Sequence, residues 1–184
     1  PGHDPLEELA HLPRPLLLYV GRVAPEKNIG AFLGSTVAGT KVIVGDGPAL
    51  AELREQFPDA HFLGALHGEQ LARAYCSADV FVFPSRTDTF GIVLLEALAS
   101  GVPVAAYPVP GPLDVVGGTD VGVLDHDLRA AALAALKIPR DRCRAFAMAR
   151  SWEASARQFL DNIVAANAID AGLPTGRVAK AAVR

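Results

Sequence analysis

Short runs of apolar, β-favouring residues alternate along this chain with stretches whose apolar positions recur at helical spacing. Glycine and proline punctuate the boundaries. That alternation predicts an α/β domain, a Rossmann-like parallel sheet with crossover helices on both faces. Strands are expected over residues 15–20 (PLLLYV), 41–44, 60–63, 79–83 (DVFVF) and 102–106, with a short sixth at 121–124. Helices are expected over residues 26–33, from Pro48 through Gln56, over 69–77, after the polar loop that begins at Ser85, and over 127–137, 140–149 and 152–167. The prolines at 108, 110 and 112 predict a loop after the fifth strand. Residues 1–13 read as a linker, 14–167 as one domain and 168–184 as a disordered tail. Ligands of such sheets bind outside the carboxyl ends of the strands. Gly21-Arg22, Gly45-Asp46-Gly47, Gly64-Ala65-Leu66, residues 85–90 and residues 107–111 therefore share one rim.

One helix on that rim breaks the hydrophobic pattern. In residues 84–103 (PSRTDTFGIVLLEALASGVP), Asp88 lies in the polar loop and Glu96 lies eight residues later. Ile92, Val93, Leu94, Leu95, Ala97, Leu98 and Ala99 surround Glu96, so the helix has no polar face for it. An unpaired carboxylate there would cost several kcal/mol. A protein group or a ligand hydroxyl is expected to meet it. The helix start, near Phe90 and Gly91, offers unsatisfied N–H groups and a positive dipole end suited to phosphate. Anion donors beside hydroxyl acceptors read as a sugar-nucleotide pocket; a buried helix with one structural glutamate is the plainer reading.

Composition narrows the classes. A chain of 184 residues that is 51% hydrophobic can bury a substantial core, and a net charge of −3 gives no basic footprint for nucleic acid. No apolar run reaches the roughly 20 residues of a membrane span, and no signal-peptide pattern opens the chain. Cys76 and Cys143 lack metal spacing and read as reduced thiols of a cytoplasmic protein. His67 reads as a surface histidine, and His3, His11, His61 and His126 show no ligand spacing. The opening Pro-Gly-His-Asp-Pro, without methionine, reads as the start of a fragment.

Three ordered segments carry a family resemblance. YVGRVAPEK (19–27) matches a Gly-Arg-x4-Lys segment, and VGDGP (44–48) matches a strand turn. SRTDTFGIVLLEALASGVPV (85–104) matches a Glu-x7-Glu motif followed by small-Gly-x-Pro-Val, and WEASARQFLDNI (152–163) resembles a closing helix. On these, residues 14–165 resemble the C-terminal half of a retaining glycosyltransferase of the GT-B fold, in the group 1 family (family 4). The branch reading Thr-Glu-Thr-Phe-Gly, which includes lipid-directed transferases, is the nearer match. Asp88 stands where the family has glutamate, with a reach shorter by about 1.5 Å. Its contact with the sugar would need a small backbone shift or a water.

The resemblance implies a donor site for a UDP- or GDP-sugar, with no metal or other cofactor. Arg22 and Lys27, with Gly21 and the Ile92 and Val93 amides, would hold the diphosphate and stabilise its charge as it leaves. Glu96 would accept hydrogen bonds from the ribose. Asp88, with the amides of Phe90 and Gly91, would hold the transferred sugar, flanked by residues 107–111, and Leu66 would offer backbone groups to the base. It also implies a missing N-terminal acceptor domain, so that this half would bind donor and transfer little. Contact with the inner face of a membrane, for a lipid acceptor, would come through that half. A stand-alone sugar-nucleotide-binding module is a second reading. A third takes VGDGPALAEL as an oxidoreductase dinucleotide fingerprint, although it lacks the third glycine and the ribose-binding acid.

Overall fold

The computed structural model describes residues 4–87 and 91–150. The chain divides into two compact units, Pro1–Ala147 and Met148–Arg184. The first holds a six-stranded sheet, β1 (Leu16–Val20), β2 (Thr40–Val44), β3 (His61–Gly64), β4 (Val80–Phe83), β5 (Val104–Ala106) and β6 (Gly122–Leu124). Its order is β3-β2-β1-β4-β5-β6 and every pairing is parallel. The order reverses between β1 and β4. That switch point is where open α/β sheets bind ligands.

Both faces of the sheet are covered, which is why the strands read as continuous apolar runs. Leu16, Leu18 and Val20 of β1 face one way, onto α1 (Glu7–Ala10), α4 (Gly68–Ser77), α5 (Ile92–Ala99), α6 (Pro110–Val116) and α8 (Arg140–Met148), through Leu9, Tyr75, Leu94, Leu98, Val115 and Cys143. Leu17 and Tyr19 face the other way, onto α2 (Ile29–Leu33), α3 (Leu50–Gln56) and α7 (Leu128–Ala135), through Phe32, Leu53, Leu128 and Ala132. Alternation along one strand thus feeds two separate cores.

The elements depart from the sequence pattern in three places. The helix expected over 26–33 is a 3-10 turn, Pro25–Lys27, followed by α2. Between them Asn28 adopts φ 55°, a left-handed conformation that asparagine tolerates, and its side-chain amide donates to the Pro84 carbonyl at 3.1 Å. The loop expected at 108–112 is partly helix, because Pro110 opens α6. Proline forfeits nothing in a first turn, where its missing N–H would have no helical partner. Within residues 1–13, α1 buries Leu9 to 2% exposure, and Arg73 donates to the carbonyls of Asp4 and Pro5. The helix expected over 152–167 lies outside the described residues.

How α5 ends matters for what it carries. Gly101 (φ 75°) donates to the Leu98 carbonyl at 2.9 Å and Val102 to the Ala97 carbonyl at 2.8 Å. This pair of bonds closes the helix in a Schellman turn, with Val102 fully buried beyond it. A β-carbon at Gly101 would strain the backbone and sit 3.1 Å from the Arg140 carbonyl. Gly101→Ala is expected to lower stability by about 1–2 kcal/mol, measured by urea unfolding.

Candidate functional site

A cavity of about 390 Å³ opens at the switch point. Tyr19, Val20 and Gly21 at the end of β1, Arg22, Glu26 and Lys27 in the next turn, and Phe83 at the end of β4 line it, with Gly91, Ile92 and Val93 at the start of α5. Six residues singled out from sequence (Gly21, Arg22, Lys27, Gly91, Ile92 and Val93) therefore meet in one place. The Tyr19 hydroxyl donates to the Arg22 carbonyl at 2.9 Å and pins the turn. Arg22 pairs with Glu26 at 3.3 Å, both well exposed at 65% and 47%. Such a surface pair contributes about 0–1 kcal/mol, little enough for a tighter anion to displace Glu26. Gly91 is the N-cap of α5 and has no side chain with which to accept from its first-turn amides. Two cations and a helix start without a side-chain cap are the features here that favour an anion.

Backbone contacts hold the rim together. Gly21 donates to the Val44 carbonyl at 3.0 Å, Gly45 to Gly64 at 2.7 Å, Val23 to Asp46 at 2.9 Å and Ala49 to Val23 at 3.0 Å. A β-carbon at Gly45 would lie 1.8 Å from the Gly21 carbonyl oxygen, and one at Gly47 would lie 2.3 Å from that of Val23. Both glycines serve the approach of the chain to itself. Neither a ligand nor a dinucleotide fingerprint is needed to explain them.

Glu96 faces a second cavity of about 370 Å³, between α4 and α5, lined also by Gly68, Leu71, Ala72, Tyr75, Ala99 and Ser100. The polar partner expected for it is Tyr75, whose hydroxyl donates to Oε2 at 2.9 Å. Tyr75 is 2% exposed, and burial together with the Glu96 charge holds its phenol well above the ordinary 10.0. Sequence reading missed Tyr75 because it lies on the buried face of α4. The available signal was chemical: a buried tyrosine hydroxyl needs a partner, and Glu96 needed one too. Arg140 ties the ends of the two helices, donating to the carbonyls of Cys76, Ala78 and Ser100. Leu66, in the loop before α4, is half-buried against the same core.

Asp88 and Phe90 lie outside the described residues. Just before them, the Arg86 guanidinium sits 4.3 Å above the ring of buried Tyr107. His67 is exposed at the start of α4. Among the described residues no three His, Cys, Asp or Glu side chains are placed to hold a metal, and no helix is long and apolar enough to cross a membrane.

Two measurements test this geometry. Gly45→Ala is expected to lower stability by about 2–4 kcal/mol, since it adds strain and forces two backbones apart, read by chemical denaturation. The Tyr75 phenol keeps its proton in the folded chain at pH values where the unfolded chain loses it. Its contribution to stability is therefore whole below pH 10.0 and falls as pH rises beyond it. The stability difference between wild type and Tyr75→Phe should shrink above that pH by at most about 1.4 kcal/mol per unit, measured by urea unfolding across an alkaline pH series.

Comparison with known proteins places the chain in a family. Residues 14–141 match the profile of the family described as glycosyl transferases group 1. A GDP-mannose-dependent alpha-mannosyltransferase of Mycobacterium tuberculosis is 44% identical over 113 residues, covering 60% of this chain and 30% of that protein. One from Corynebacterium glutamicum is 38% identical over 171 residues, covering 85% of this chain and 41% of that protein. The chain thus spans well under half the length of these relatives. The solved structure of the apo lipopolysaccharide outer core galactosyltransferase WaaB superposes with a TM-score of 0.71 at 18% identity, over 88% of this chain and 51% of that one. Matched to that family over residues 14–141 and folded as a six-stranded parallel sheet, this chain belongs to the group 1 glycosyl transferases.

Proposed function

We propose that this chain is the donor-binding part of a retaining glycosyltransferase and takes a nucleoside diphosphate sugar. The observation that carries the reading is the meeting of Arg22, Lys27 and the start of α5 in one cavity, with Glu96 on the same helix in the next. The diphosphate lies against the two cations and the Gly91–Val93 amides. The ribose hydroxyls donate to Glu96, and the base lies toward Leu66. Asp88, with the Phe90 and Gly91 amides, holds the sugar.

The chemistry follows from charge. When the bond between the anomeric carbon and the β-phosphate oxygen breaks, negative charge grows on the diphosphate. Fixed positive groups aimed there stabilise the transition state more than the ground state. Arg22, Lys27 and the helix start supply that charge from the chain itself, so the reading calls for no metal. Transfer needs an acceptor domain to position a lipid or saccharide hydroxyl on the face the leaving group departs. The chain alone is expected to bind donor with little transfer. The mannosyltransferase relatives favour a GDP-sugar, with a UDP-sugar second.

Calorimetric titration with GDP, UDP and NAD tests this. One of the first two is expected to bind and NAD is not. Glu96→Ala should weaken binding by about 1–3 kcal/mol, and a double Arg22→Ala/Lys27→Ala variant should abolish it. A folded chain that binds neither GDP nor UDP would overturn the reading, and preference for NAD would replace it with a dinucleotide site.

A further inference from the structure

We propose that Tyr75 is a positioning residue for ribose recognition: its hydroxyl holds one oxygen of the Glu96 carboxylate so that the other is presented to the vicinal hydroxyls of a bound nucleotide. This rests on the donor-site reading above and adds to it the group that gives Glu96 its direction.

The argument starts from what fixes the phenol. The Tyr75 ring is 2% exposed and packs at 5.8 Å and 47° against Phe81, which is fully buried and in turn stacks on Phe83 at 6.4 Å. Core packing, rather than Glu96, therefore sets where the hydroxyl stands. Glu96 is in the opposite situation. It is half-buried on a helix whose neighbouring positions are all apolar, and its chain has three torsions to settle. The 2.9 Å bond from Tyr75 to Oε2 ties the mobile carboxylate to the immobile ring. A carboxylate oxygen held in this way leaves Oε1 as the acceptor for incoming hydroxyls.

One further feature fits a ligand rather than a sealed core pair. Tyr75 and Glu96 both line the cavity between α4 and α5, whose 370 Å³ lies in the range of small-molecule sites. The shift in the Tyr75 phenol keeps it a donor through neutral and moderately alkaline pH, so the carboxylate is held throughout. Arg140, bonded to the carbonyls at the ends of both helices, fixes the spacing across which the pair acts.

The test compares affinity for GDP or UDP, whichever the wild-type chain binds better, with affinity for its 2′,3′-dideoxy analogue. Wild type should prefer the ribose form at least about tenfold, and Tyr75→Phe should bring the ratio to within about threefold. In a Glu96→Gln background, adding Tyr75→Phe should leave the ratio unchanged. Tyr75→Met, whose flexible side chain fills the ring's space without a hydroxyl, provides a second variant if the first unfolds; thermal unfolding checks both. A folded Tyr75 variant that keeps full discrimination while losing only stability would overturn the proposal, because a packing role alone moves stability and not the ratio. An equal loss of discrimination in the Glu96→Gln background would overturn it too, by showing that Tyr75 does not act through Glu96. Wild-type binding without ribose preference would refute this inference and spare the diphosphate site. Absence of nucleotide binding by wild type would instead remove the donor-site reading on which it stands.

Discussion

The rest of this site depends on how closely the turn after β2 approaches the turn after β1. Gly45 and Gly47 bring their backbone against the carbonyls of Gly21 and Val23, at separations where a β-carbon would overlap an oxygen. Four backbone hydrogen bonds then lace the β1, β2 and β3 turns together. Arg22 and Lys27 leave this laced edge, so their position is set by main-chain contacts and not by the exposed pair with Glu26. That division suits an anion site. The scaffold is rigid, while the Arg22 charge upon it is held weakly enough to change partners.

The two electrostatic pairs in the site differ in kind. Arg22 with Glu26 is solvated on both sides, so its formation and its loss are both of small consequence. Tyr75 with Glu96 is not. Removing Glu96 would leave the buried Tyr75 hydroxyl short of a partner, and a buried polar group without a partner costs more than a hydrogen bond contributes on average. One pair is therefore displaceable by a ligand. The other is a fixture of the fold.

Much of this was legible in sequence because period and punctuation agree with the fold. All six strands and the helix carrying Glu96 were visible, since strands buried on both faces read as unbroken apolar runs. The meeting of the turn after β1 with the start of α5 on one rim followed from the same order of elements. What sequence concealed depends on contacts between distant segments. The left-handed turn at Asn28 is held by a bond to Pro84, and the helix opened by Pro110 looked like a proline-rich loop. The need of Glu96 for a partner was visible, but its pairing with Tyr75, 21 residues away on another helix, was not.

Helix α5 links the two cavities and also sets the distance between them. Its first residues line the cavity with the two cations, and Glu96, five residues past Gly91, lines the other. At 1.5 Å of rise per residue, that offset is about 7.5 Å along the axis. A nucleoside diphosphate likewise separates its ribose hydroxyls from its outer phosphate by a 5′ carbon and one phosphate, a span of the same order. The offset is rigid, because the Schellman turn at Gly101 stops the helix at one end and the buried Leu94, Ala97 and Leu98 hold its length against the sheet. A ligand with an anion alone, or with vicinal hydroxyls alone, would use one cavity and leave the other to water. On the donor-site reading, a molecule that carries both at this spacing engages the whole helix, so that the helix would select a class of ligand before any side chain reads a base or a sugar.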